Sequence, residues 1–431
     1  MEFLPAIVLY LEVFLLALVE KRVWKTPYTP LNCLMIPYAA VLGFCMLIDG
    51  KMDFTDFYYP SIWVWVIGIA VFFIPSFFLG IVYHAASRNQ ITQPVSVSPF
   101  TVHVLERTTQ VVCLLFGLKI AYMLVACPHP PGSEEFGQLL AGGGFFGHLF
   151  TLFMVLFIIW VLLVDKNHKR YWFYLLFFLL VDLLYSVKGW LLLPFCGSIL
   201  LRLLTGRMRM KIKLLLGVAV AGFLFFFTIY WIGFMSRAEE IRTHYGMLPS
   251  EYRKDVAAYI QKHFVTYLTA GVYGFSEDMA QGIYEERDIS KIYTPFVNIA
   301  RFLRGEEEMQ DALNTYYLIT TRADNGTNVR SFMGTLYVFL GGRHAAVYVF
   351  FFSCMVCTVF FIARQRRNLF LWAFLGWIYG MLFLGWFDPY VQTLTAITVP
   401  VFLVLLYELC WFAEDALHRK PARIRLQRWF T

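Results

Sequence analysis

The sequence predicts an all-α polytopic membrane protein of about 11 transmembrane helices. Three observations carry this reading. Of the 431 residues, 59% are hydrophobic and only 15% charged, with mean hydropathy +0.62, more apolar surface than a soluble domain can bury. Apolar runs near bilayer length recur along the whole chain. Basic residues gather between alternate runs, as they do when loops sort to one side of a membrane. Alternating ten-residue strands are missing from the sequence, which argues against a barrel. The 44 Phe residues suit helices that face lipid and one another.

In chain order the apolar runs cover about 4–19, 31–48, 61–83, 108–126, 146–164, 171–187, 190–204, 214–234, 345–363, 369–386 and 391–412. No small-residue cleavage site follows the first run, so it reads as a retained helix rather than a signal peptide. Glu12 interrupts it. One set of connections carries Lys21, Arg22 and Lys25, then Arg88 to Arg107, Lys166 to Arg170, Arg202 to Lys213, Arg364 to Arg367 and Arg419 to Arg428. The other set carries only Lys51 and Lys188 in its short loops. The positive-inside rule makes the first set cytoplasmic, with the C-terminus inside and the N-terminus outside if the first run spans. Two places are irregular. Residues 171–204 are basic at both flanks, so they form a short hairpin with Lys188 and Gly189 at its outer apex. Residues 331–340 are apolar but precede Gly341, Gly342, Arg343 and His344, and read as a separate interfacial or re-entrant helix.

Residues 236–330 break the pattern. They are charged, aromatic and loop-like, and the charge rule places them on the outer face. The organisation is therefore an N-terminal transmembrane bundle of about eight helices over 1–235, one large outer loop over 236–330, and a short helix plus C-terminal transmembrane helices and a cytoplasmic tail over 331–431.

The net charge of +7 sits in short clusters at helix ends and is no sign of nucleic-acid binding. The eight Cys lie in or beside apolar runs and none in the insert, so no disulfide framework staples it. Cys354 and Cys357 have CxxC spacing, but without a nearby His or acid they read as small core residues. P-loop, HExxH, GxSxG and dinucleotide fingerprints are missing.

Candidate chemistry rests on charged residues. Lys119 and Asp182 fall inside apolar runs, where each needs a partner. They read either as a helix-pinning ion pair or, for Lys119, as a contact to a phosphorylated lipid. Lys188 suits a phosphate or diphosphate as a point charge, or is an interfacial lysine reaching for water. Within the insert Arg237, Glu240 and His244 share a helical face. Arg301 and Arg304 share another and can grip a diphosphate together, or pair with nearby carboxylates. His244 and His263 are bases that titrate near neutrality, or polar helix residues. Asp49, Asp53 and Asp56 in the first outer loop obey simple outside placement or, less simply, mark a metal site.

The stretch Asn328-Val-Arg-Ser-Phe-Met-Gly-Thr-Leu-Tyr337-Val-Phe-Leu-Gly341 resembles the signature that follows the large periplasmic loop of bacterial oligosaccharide repeat-unit polymerases of the Wzy type. Tyr267-Leu-Thr-Ala-Gly271-Val-Tyr-Gly-Phe275 is similar to the aromatic–glycine stretch within that loop. Ser186-Val-Lys188-Gly189 resembles the basic step kept there and in the related O-antigen ligases. The sequence departs from the pattern at Phe339, where an acidic residue is common, at Arg330, an often aromatic place, and at Arg343 and His344. The resemblance implies a GT-C-type bundle with one large helical periplasmic loop in the bacterial inner membrane. It implies glycan transfer from undecaprenyl diphosphate to a hydroxyl of the next lipid-linked repeat unit, with neither metal nor cofactor. Lys188, Arg237, Arg301, Arg304 and Arg330 are the expected diphosphate cations, His244 the expected base, and Tyr267, Asn328 and Tyr337 expected glycan contacts. The partners it implies are the undecaprenyl-diphosphate-linked oligosaccharide and membrane lipid, with a chain-length regulator and a repeat-unit flippase beside them and no nucleic acid. An O-antigen ligase, or a polysaccharide exporter or flippase, is the alternative.

Overall fold

A computed structural model describes residues 2–418 apart from 52–53, 87–96, 130, 132–133, 142–143, 165–169, 186–187, 236–248, 283–287, 308–316, 319–325, 367 and scattered positions between 210 and 234. The described chain is helical, with one two-residue antiparallel ladder pairing Tyr317 with Thr327 and Leu318 with Gly326. Its helices are α1 (Leu4–Trp24), α2 (Pro30–Ile48), α3 (Ile62–Ala86), α4 (Pro99–Ala126), α5 (Glu134–Ala141), α6 (Gly144–Leu163), α7 (Tyr171–Tyr185), α8 (Lys188–Leu204), α9 (Pro249–Gln281), α10 (Thr294–Arg304), α11 (Phe332–Gln365), α12 (Leu369–Phe383) and α13 (Thr395–His418).

Seven described segments are long and apolar enough to cross a membrane: Pro30–Ile48, Tyr59–Ala86, Pro99–Ala126, Gly144–Leu163, Phe332–Gln365, Leu369–Trp386 and Thr395–Asp415. Tyr171–Tyr185 and Leu192–Leu204 are shorter apolar helices. The expected run 214–234 lies only partly among the described residues. α1 runs unbroken through Glu12. α4 starts at Pro99 rather than near residue 108, because Ser98 caps it by accepting from the Thr101 amide at 3.1 Å. The amphipathic α5 has no counterpart among the apolar runs; it closes a small cluster of Met123, Phe136 and Leu140.

α12 is the centre of the bundle and crosses α8 at very close range. A Cβ on Gly197 would lie 1.9 Å from the Gly376 carbonyl oxygen, and one on Gly380 would lie 2.2 Å from that of Leu193. Small residues at a helix crossing let backbones approach, which is how membrane helices gain packing energy when lipid is as apolar as the side chains. Lys119 and Asp182 do not form the expected pair among the described residues. The Lys119 ammonium lies 3.9 Å from the centre of the Phe146 ring, while Asp182 is buried on α7. α4 and α7 touch in space although α5 and α6 separate them in sequence, but the contact does not bring these two side chains together.

The bundle has two unlike ends. At one, Lys25 donates to the His84 carbonyl, Arg364 to that of Trp24, and Arg202 to those of Val161 and Val164, while Arg170 pairs with Glu106 at 2.9 Å. We call this the basic end. The other end receives the C-terminal half of α9, the loop between α2 and α3 and the N-terminus of α11, and we call it the insert end. α11 is two arms: Gly341 has φ 69 and ψ 165, so a helix over 332–340 meets a longer one over 342–365 at a kink. That positive φ is tolerated by glycine and strained in other residues.

Candidate functional site

α9 organises the insert end through two faces. Tyr267, Gly271, Gly274 and Asp278 recur at helical spacing and form one stripe. Tyr267 stacks on Phe387 with ring centres 4.9 Å apart. Gly271 lies against the turn after α12: a Cβ there would come within 2.3 Å of the Phe387 carbonyl oxygen. The Gly271 carbonyl accepts from the Ser331 amide at 2.9 Å. Gly274 abuts the Val329 carbonyl, 2.5 Å from where a Cβ would stand. Asp278 takes the Arg330 guanidinium on both oxygens, Nε to Oδ2 and Nη2 to Oδ1. The stripe spans about 16 Å at the helical rise, and clamps α9 to the chain entering α11. The opposite face carries Tyr273 and Ser276. Tyr273 packs on Phe54 and Phe57, and Ser276 accepts from the Tyr58 amide at 2.7 Å. Asp49 fixes that loop by accepting from the Phe57 amide at 3.1 Å and the Tyr59 hydroxyl at 2.7 Å.

Arg330 and Asp278 are essentially sealed, at 1% and 0% exposure. The Phe339 ring lies 5.7 Å from the guanidinium carbon. The carboxylate that balances Arg330 thus comes from α9, not from position 339. Ser331, next along, accepts from Trp65 Nε1 at 2.9 Å, and Trp65 stacks on Tyr38 at 3.6 Å. The entry to α11 is therefore bolted to α2, α3 and α9 together.

Beside this clamp lies a second polar cluster. Asp388 follows the turn Leu384–Trp386 and sits close enough to Tyr267 and Tyr390 to perturb both phenols. Burial first, then the Asp388 carboxylate, pushes Tyr267 up to about 12; the same causes raise Tyr390. The Tyr390 hydroxyl faces the bare Gly189 backbone, 2.3 Å from where a Cβ would stand. A side chain at position 189 would push the Tyr390 hydroxyl away from the start of α8, and Lys188 is the first residue of that helix. His263 bonds the Tyr230 hydroxyl at 2.7 Å and stacks on Tyr259.

The expected site residues separate. Lys188, through its backbone, and Tyr267 lie at the Asp388 cluster. Arg330 lies at the clamp. Tyr337 is half-buried with its ring 6.3 Å from Phe275, and Asn328 is exposed. Arg301 and Arg304 end α10, where both meet Glu306, at 3.7 Å and 3.5 Å. The opposite face of α10 exposes Phe296, Ile299, Phe302 and Leu303, the last two at 76% and 78%. An amphipathic helix of this pattern is suited to a membrane interface. Arg237, His244 and Asp53 lie outside the described residues. Among the described residues no three His, Cys, Asp or Glu side chains group as metal ligands. Sequence reading missed Asp278, Asp388 and Tyr390. The signal for the last two was an acid and a phenol in Trp386-Phe-Asp-Pro-Tyr390, directly after a transmembrane run.

Fold and site together define a helical polytopic membrane protein whose insert is packed into one end of its bundle. The chain belongs to the DUF6337 family, a family of unknown function, whose model matches residues 53–414. No curated protein and no solved structure matches it.

Proposed function

We propose that this protein is a polysaccharide polymerase that joins undecaprenyl-diphosphate-linked repeat units at the face occupied by its insert. One observation carries the reading. The three stretches that resemble Wzy-type polymerases, far apart in sequence, meet at the insert end: Gly189 against Tyr390, Tyr267 against Phe387, and Gly271, Gly274 and Asp278 against 329–331. The gathering of Lys25, Arg170, Arg202 and Arg364 at the opposite end supports a periplasmic insert and a cytoplasmic basic end in the inner membrane.

In this reading an acceptor hydroxyl attacks the anomeric carbon of the donor. The bond to the lipid diphosphate breaks, the diphosphate leaves with the electron pair, and the hydroxyl proton passes to a base. The leaving group carries its own charge, so catalysis needs cations near it and close positioning of the two sugars more than protonation. Lys188, at the start of α8, supplies a cation. Asp388, beside Tyr267 and Tyr390, takes the acceptor proton, and the half-buried Tyr267 ring offers a surface for sugar. Arg330 already has its charge matched by Asp278, so it positions the 328–341 stretch rather than touching diphosphate. Arg301 and Arg304, sharing Glu306 on an interfacial helix, stand nearer the lipid surface.

The test is purified protein with intact lipid-diphosphate repeat units. Longer lipid-linked glycan is expected. Transfer only to a lipid A-core acceptor would make it a ligase, and movement of substrate across vesicles without elongation would make it a flippase.

A further inference from the structure

The two arms of α11 leave an apolar groove of about 370 Å³ against α3, at the level of the Gly341 kink. Ile67, Gly68, Met333, Leu336 and Val349 line it. Gly68 thins its floor: a Cβ there would stand 2.6 Å from the Met333 sulfur. Its one charged lining residue is Arg343, exposed at the rim. Tyr337, the other polar lining residue, lies over Gly342, 3.6 Å from where a Cβ would be.

Depth follows from the long arm. Arg343 begins it and Arg364 ends it, roughly 32 Å apart along the axis by the helical rise, close to the hydrocarbon thickness of roughly 30 Å. Arg364 belongs to the basic end, so Arg343 stands at headgroup level at the insert end. The groove below it opens beside exposed Ile67 and Val347, at a depth where the surrounding solvent is lipid. The volume lies in the range of roughly 300–1,000 Å³ typical of small-molecule sites, and the slot between one helix pair suits one chain rather than two.

We infer that the α3–α11 groove is a binding site for a single-chain lipid phosphate, its chain along Gly68 and Val349 and its phosphate on Arg343. A guanidinium is suited to phosphate through paired N–H donors. The site stands apart from the polymerase reading, because occupancy is measured without turnover.

The experiment is native mass spectrometry of the full-length protein, delipidated and then exposed to polyprenyl monophosphate, to polyprenol of equal chain length, or to phosphatidylglycerol. Wild-type protein should hold one polyprenyl phosphate in preference to the other two. Arg343→Gln, at an exposed position, should weaken retention about fivefold, the effect of one basic residue near an anionic lipid, and Arg343→Lys should restore part of it. Ala346→Trp should block the groove, with circular dichroism showing the helices intact. Equal retention by all variants would overturn the proposal. So would polyprenol held as tightly as its phosphate, tighter holding of phosphatidylglycerol, or a dimer that seats a second copy in the groove without lipid.

Discussion

Arg330 and Asp278, distant in sequence, form a sealed ion pair that ties α9 to the chain entering α11. Removing one partner leaves a buried charge without its counterion. Arg330→Ala or Asp278→Ala should each cost about 3–5 kcal/mol. The double change Arg330→Met with Asp278→Leu should recover most of that, since well-packed apolar replacements of buried pairs are often neutral. Thermal unfolding of the four proteins in detergent checks this; additive losses in the double variant would contradict a coupled pair.

The close approach of α9 to the turn after α12 gives a second expectation. Gly271→Ala puts a methyl group against two backbone carbonyls, those of Trp386 and Phe387. Backbone cannot yield as a flexible side chain can, so a loss of about 1–3 kcal/mol is expected, the usual range for overpacking. Gly217→Ala is the control: nothing lies within 4 Å of its Cβ, and the helical preference of Ala over Gly should make it neutral or slightly stabilising. Similar melting shifts in both variants would count against the clamp.

Tyr267 ties stability to pH. Its phenol is raised from 10.0 to about 12, by burial and then by Asp388. Below pH 10 folded and unfolded chains both hold the proton, and the contribution is complete. As pH rises from 10 towards about 12 the unfolded chain releases it while the folded chain does not, so stability falls through that window. Tyr267→Phe should flatten the fall in part, because Tyr273 and Tyr390 are raised as well. Melting temperatures from pH 8 to 11 would show an unchanged slope if Tyr267 were solvated.

Bilayer-length runs were legible because a transmembrane helix must be apolar over its whole length, and the paired glycines at 341–342 marked the kink. α9 was not legible as a packed helix. Its buried positions, among them Thr266, Thr269, Ala270 and Tyr273, are small or amphipathic, so mean hydropathy stays low although the helix is enclosed. The clamp was half legible. Arg330 stood out as a cation, but Asp278 sits beside Glu277 in what reads as an ordinary solvated acidic pair, and only the fold brings it to position 330. Lys119 and Asp182 show the same limit: an intramembrane charge advertises its need for a partner without saying which helix supplies one.

Elongation assays separate the cations that sequence grouped together. If the site is the Asp388 cluster, Lys188→Ala and Asp388→Asn should each reduce chain elongation by about 100-fold or more, the scale of losing a general base or a charge stabiliser. Protein should still accumulate in the membrane, because neither change removes the Arg330–Asp278 pair or the glycines of the α8–α12 crossing. Arg304→Ala should leave elongation within about threefold of wild type, since an exposed ion pair with Glu306 contributes little. Arg301→Ala, the less exposed of the two, tests whether α10 reaches the diphosphate. A loss there as deep as at Lys188, with Asp388→Asn active, would move the site from the mouth of α8 to the interfacial helix.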